Sequence, residues 1–212
     1  IIREISSILA KKGMAALRFD FSGNGQSEGD FSNTSYSKHI GEMERAVAFF
    51  AEQGYSRFGL AGHSMGAAVA VLAGAKLNGV AGVCALGGRV AGKETAPFFG
   101  KEKMEELRRT GRLQFESRGR DLELKENFFT DLQKFNLRET VQTFEPPLLV
   151  VHGDQDEIIP VENARDVPHL NPHADVEIVT GADHMFSNPE HRRHIAQTVA
   201  SWFRNRFEAE PD

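Results

Sequence analysis

A single cysteine, Cys84, occurs in the 212 residues, which excludes an internal disulfide and favours a reducing, cytoplasmic setting. No apolar run approaches the ~20 residues of a membrane-spanning helix, so no membrane span is expected. Basic residues are not in excess either. The chain has 25 Lys and Arg against 30 Asp and Glu, a net charge of -5 without basic clustering, which argues against a nucleic-acid partner. No Gly-x-Gly-x-x-Gly or Gly-Lys-Ser/Thr pattern opens a helix. The Gly-rich stretch from Asp20 to Asp30 therefore reads as a connecting loop rather than a phosphate cradle, with Asp20 tying it down. His169, His173, His191 and His194 fall in loop or surface-helix contexts without converging acids, so no metal site is expected.

What is present is enough apolar content, 40%, for one soluble domain with a sizeable core. The chain is organised around Phe58 to Leu72, where an apolar run ends in Gly62-His63-Ser64-Met65-Gly66 and a helix of small residues begins at once. That is a strand, a sharp turn and a helix, with a serine at the apex in a strained backbone conformation. Gly62 and Gly66 stand where a Cβ would collide with neighbouring backbone, and Ala67, Ala68 and Ala70 allow close helix packing.

Before this stretch, the spacing of Ile1, Ile5, Ile8 and Leu9 predicts an amphipathic helix over residues 1–12. A strand is expected from Met14 to Phe19 and a helix from Tyr36 to Gln53. After it, buried strands are predicted at Val80 to Leu86, Leu148 to Val151 and Val176 to Val179, with helices at Val161–Asp166 and Pro189–Phe207. Apolar strands alternating with helices imply an α/β fold: a mostly parallel sheet covered on both faces, with its chemistry at the carboxyl ends of the strands. Residues 93–144 are highly charged yet carry Phe98, Phe99, Phe115, Phe128, Phe129, Phe135 and Phe144. They read as a mostly helical cap or lid inserted into a core made of residues 1–92 and 145–212.

Two strand ends carry candidate partners for Ser64. His152-Gly153-Asp154-Gln155-Asp156-Glu157 follows one strand, and Gly181-Ala182-Asp183-His184 follows another. A serine hydroxyl becomes a competent nucleophile when an imidazole takes its proton, and the imidazole needs a carboxylate to fix its tautomer. Asp154 and Asp156 compete for the acid role, and the place of Asp154 directly after Gly153 suits a turn. His63 and His152 read as shape or hydrogen-bond residues around the site.

Four segments resemble the α/β-hydrolase superfamily, nearest to its small capped esterases of feruloyl-esterase-like and monoacylglycerol-lipase-like type. They are Leu17 to Ser27, Gly62 to Gly66, His152 to Pro160, and Gly181 to His184. The resemblance implies a serine hydrolase cleaving carboxylic esters of small molecules without a cofactor. In that scheme Ser64 is the nucleophile, Asp156 the acid, His184 the base, and the Met65 backbone N–H one oxyanion donor. Phe128 and Phe129 of the insertion are expected to face Ser64 and line an acyl or aromatic pocket, with Phe186 as a further substrate contact. Family members carry strands ahead of the first helix, and the loop there gives the second oxyanion N–H, so the amino-terminal strands and that donor are expected to be missing from this sequence. Thioester hydrolysis, acyl transfer, carbon–carbon bond hydrolysis and a catalytically silent binding protein are the alternatives on the same fold. Oligomeric state is left open.

Overall fold

In the computed structural model, residues 1–91, 99–117 and 119–208 are described. The start of the expected insertion, including Phe98, lies outside them. The chain divides into two compact units. One comprises Ile1–Arg18, Met43–Gly92 and Leu137–Asp212, and the other Phe19–Glu42 and Lys93–Asn136.

The first unit is built on a four-stranded, all-parallel sheet in the order β1 (Phe58–His63), β2 (Val80–Leu86), β5 (Leu148–Gly153) and β6 (Asp175–Val179). β2 and β5 are buried almost throughout, so their near-continuous apolar sequences reflect cover on both faces. The pleat sends alternate side chains to opposite faces. Cys84 and Leu86 of β2, Leu149 and Val151 of β5 and Val179 of β6 meet Ile195, Ala196, Val199 and Phe203 of α9 (Pro189–Glu208), with Ile5 of α1 (Ile2–Lys11) in the same cluster. The opposite register of β1 and β2 packs against α3 (Met65–Gly74), whose residues from Ala67 onward are all buried. Each Val or Leu sealed this way contributes about 1.5–3 kcal/mol. Among the described residues, no helix is long and apolar enough to cross a membrane.

The expected strand at Met14 to Phe19 does not form. These residues join no ladder, and Leu17 and Phe19 stand exposed. A strand exists through its partner, and this apolar segment has no paired neighbour among the described residues. The helix expected from Val161 is two short turns, α7 (Glu162–Arg165) and α8 (Val167–Leu170), separated near Pro168.

The second unit keeps helices in the insertion, as expected, and adds a hairpin that the sequence reading does not contain. Between α4 (Lys101–Thr110) and α5 (Glu126–Leu132) lies an antiparallel hairpin of β3 (Arg112–Ser117) and β4 (Arg120–Lys125). Leu113 faces Leu124 and Phe115 faces Leu122 across it, while the intervening positions are charged or polar. The helix α2 (Tyr36–Glu52) contributes its first turns to this unit, where Tyr36 packs against Phe128 and Phe135. Asp131 receives the Ser37 backbone N–H at 2.8 Å and its hydroxyl at 2.6 Å, satisfying the start of α2 from 94 residues away. Asp20 accepts the Gln26 amide at 3.1 Å and so ties its own loop, as the sequence indicated. The helix α6 (Leu137–Gln142) belongs to the first unit.

Candidate active site

Ser64 ends β1 and begins α3 with φ 57° and ψ -122°. A non-glycine residue there is strained by about 1–3 kcal/mol, which the surroundings must impose. Three features do so. The Ser64 N–H donates to the Leu86 carbonyl at 2.9 Å, anchoring the turn to the adjacent strand. The Ser64 carbonyl accepts the Ala67 N–H at 3.0 Å as the helix starts. A Cβ on Gly62 would sit 2.0 Å from the Gly66 carbonyl oxygen, so only glycine lets strand and helix approach this closely. Met65 is the first residue of α3, and its N–H belongs to the set that a helix start leaves without intrahelical partners.

The carboxyl ends of β5 and β6 bring the other two groups. His184 Nε2 lies 3.1 Å from Ser64 Oγ, and His184 Nδ1 lies 2.8 Å from Asp156 Oδ2. An ionised carboxylate only accepts, so Nδ1 carries the proton and Nε2 turns its lone pair to the serine hydroxyl. The Asp156 side chain is fully buried, and that of His184 is 8% exposed. Burial alone would raise the Asp156 pKa. Hydrogen bonds from His152, His184 and the backbone N–H groups of Ile159 and Ile158 outweigh it and hold the carboxyl well below its usual range. Asp156 therefore stays ionised at neutral pH.

Asp154 does not reach His184. Its Oδ1 accepts the Gly181 N–H at 2.7 Å, in the loop that carries the histidine. Further ties lace the same two loops together. The Gln155 N–H donates to the Ala182 carbonyl at 3.0 Å, and the His184 N–H donates to Glu157 Oε2 at 3.3 Å. A Cβ on Gly153 would meet the Ala182 oxygen at 2.1 Å, so the loops touch backbone to backbone. Asp183 turns to the Ser187 side chain and N–H, which hold its carboxyl below the usual range.

His63 and His152 are hydrogen-bond residues, in line with their sequence reading. His63 Nε2 donates to the His184 carbonyl at 2.8 Å, and its ring packs on His184 and Phe186. Phe186, expected to contact substrate, is fully buried at φ 51° with its ring against that of His63. Phe128 and Phe129 belong to the second unit. There Phe128 is buried against Tyr36, and Phe129 packs edge-on to it. The sequence reading gives Glu157 no role of its own, because its bond to a residue 27 positions away leaves no local pattern. Among the described residues, no group of three or more His, Cys, Asp or Glu side chains could hold a metal.

Comparison with known proteins agrees with this architecture. The family model described as serine aminopeptidase, S33, matches residues 2–123, and that of the prolyl oligopeptidase family matches residues 98–210. No curated protein matches the chain. Among solved structures, the esterase domain of a Rhodothermus marinus protein is 25% identical, with a TM-score of 0.73 over 96% of this chain and 80% of that one. Est1E of Butyrivibrio proteoclasticus, with ferulic acid bound, is 23% identical with a TM-score of 0.79, over 98% of this chain and 83% of that one. The monoacylglycerol lipase of Paleococcus ferrophilus is 17% identical with a TM-score of 0.77, over 96% and 88% respectively. With two hydrolase family models each covering more than half of its length, and with this sheet, the chain belongs to the α/β-hydrolase superfamily.

Proposed function

We propose that the protein is a serine hydrolase that cleaves carboxylic esters through an acyl-enzyme on Ser64. The observation that carries this reading is the continuous chain from Ser64 Oγ through the His184 imidazole to Asp156, at 3.1 Å and 2.8 Å. Ser64 Oγ attacks the ester carbonyl as its proton passes to His184 Nε2. The oxyanion forms beside the Met65 N–H, where the start of α3 favours negative charge. Collapse expels the alcohol, which takes the proton from His184. A water then gives its proton to His184, attacks the acyl carbonyl and frees the acid together with Ser64. Asp156, ionised throughout, holds the Nδ1 proton and stabilises the imidazolium in both halves.

The names of the structural neighbours, a ferulic-acid-binding esterase and a monoacylglycerol lipase, favour esters as the substrate class. The two matching family models are described by peptidases, which makes amide hydrolysis the second reading. Phe128 and Phe129 are proposed to set acyl preference, and Phe186 to support the site through its contact with His63. A panel of acetyl, butyryl, long-chain and feruloyl esters beside an aminoacyl amide separates the readings. Turnover of esters with none of the amide supports the proposal, and amide turnover at equal or greater kcat/KM overturns the ester assignment. A changed chain-length preference in F128A or F129A supports their role. Equal losses on every ester reduce them to packing residues.

A further inference from the structure

The acid of the site is shared between two imidazoles. Asp156 Oδ2 accepts from His184 Nδ1 at 2.8 Å and also lies 3.1 Å from His152 Nε2. The same His152 nitrogen lies 2.9 Å from the Ile159 carbonyl oxygen. Both neighbours only accept, so Nε2 carries the His152 proton and shares it between them. The His152 side chain is fully buried, and its Nδ1 has no hydrogen-bond partner among the described residues. An imidazole buried with one nitrogen unsatisfied gives up stability, and a close-packed apolar side chain would avoid that cost. What the ring gains is contact with Asp156.

We propose that His152 is a positioning residue for the hydrolytic reaction, one that fixes Asp156 independently of His184. The inference rests on the reading of Ser64, His184 and Asp156 given above. Oδ1 of Asp156 is pinned by the N–H groups of Ile158 at 2.9 Å and Ile159 at 2.7 Å. Among the described residues, Oδ2 has only the two imidazoles. His184 must exchange its Nε2 proton with the serine, the leaving alcohol and the incoming water, and its ring shifts as it does so. Were His184 the sole partner of Oδ2, the carboxylate would follow it. His152 stays in the wall of the site and, through Ile159, closes the loop that carries the acid. It holds Oδ2 at one place through the whole cycle and touches neither substrate nor serine.

The test compares H152Q, H152N and H152F. Glutamine carries its amide nitrogen to the position of Nε2, whereas asparagine reaches only the position of Nδ1. H152Q is expected to keep kcat within about threefold of the natural protein. H152N and H152F should each lose roughly 10- to 100-fold in kcat at unchanged KM, the factor a hydrogen bond to a charged group supplies. The low-field proton resonance of His184 Nδ1–H should persist in H152Q and broaden in H152N and H152F, because Oδ2 is no longer held. If H152F does not fold, the contrast between Gln and Asn carries the test. The proton resonance reads the positioning in a protein that turns over no ester, so a failure of the hydrolase reading stays distinct. Equal kcat in all three variants, or a resonance unchanged in H152N, overturns the proposal. A lowered melting temperature alone, with kcat per folded molecule intact, would make His152 a packing residue and overturns it too.

Discussion

Replacing Asp156 by asparagine tests the electrostatics of the site at its most connected atom pair. The carboxylate accepts two imidazole N–H groups on Oδ2 and two backbone N–H groups on Oδ1, all within 3.1 Å. An asparagine has one acceptor oxygen, so its NH2 must face two donors whichever way it is turned. Two lost bonds to a charged group, at about 1.5–3 kcal/mol each, give roughly 3–6 kcal/mol. The neutral amide avoids the cost of burying a charge, which leaves a net loss of about 2–3 kcal/mol. The kinetic loss is larger. With an NH2 facing Nδ1, His184 adopts the tautomer that points a proton at Ser64, and the equivalent exchange in the serine-protease triad lowers kcat about 10⁴-fold. In Asp154→Asn, by contrast, the amide oxygen keeps the bond to the Gly181 N–H, so kcat should change less than about threefold. Butyrate ester hydrolysis and urea denaturation of both variants measure the two effects. The stability gap also has a pH signature. A depressed carboxyl pKa stabilises the fold above its unfolded value near 3.9 and loses that contribution as pH falls toward the folded value. The gap between the natural protein and D156N should therefore be full at pH 7 and shrink below about pH 4. A larger rate loss in D154N than in D156N, or no rate loss in either, would refute the reasoning.

Three further outcomes are expected. Gly62→Ala should cost about 3 kcal/mol and roughly 10² or more in kcat, because its Cβ meets helix backbone at 2.0 Å and the Ser64 turn must open; melting temperature and ester turnover check both. His39 is fully buried and stacked on Phe21, and among the described residues both its ring nitrogens lack hydrogen-bond partners. Burial pushes its pKa down, with Glu42 opposing and Lys38 adding to the effect. Its stabilisation is complete above the unfolded value near 6.5 and is lost as pH falls below it, so melting temperature should drop between pH 7.5 and 5 more steeply than in H39F. Asp131→Ala should remove the start of α2, costing about 1–2 kcal/mol and speeding amide exchange at Ser37.

The parallel core was legible because strands buried on both faces leave continuous apolar sequence. Val80–Leu86 falls on the predicted bounds, and Leu148–Gly153 extends its prediction by two residues. The turn at Ser64 was legible because its geometry demands glycine at Gly62. The hairpin was not. Leu113, Phe115, Leu122 and Leu124 alternate with charged and polar residues that read equally well as a solvated helix face, and only cross-strand pairing decides between them. Met14 to Phe19 failed for the opposite reason. Its composition suits a strand, but pairing is a property of the neighbour. The order of Ser64, Asp156 and His184 along the chain pointed to their convergence. The bonds that lock the loops, from Glu157, His63 and His152, join distant positions and carry no spacing signal.

The central claim is that Ser64 is an activated nucleophile, and a fluorophosphonate probe reads this without reference to substrate. The account predicts stoichiometric labelling that peptide mass mapping places on Ser64, abolished in S64A and slowed several hundred-fold or more in H184A. Absence of labelling in the folded protein, or labelling that persists in S64A, would contradict it.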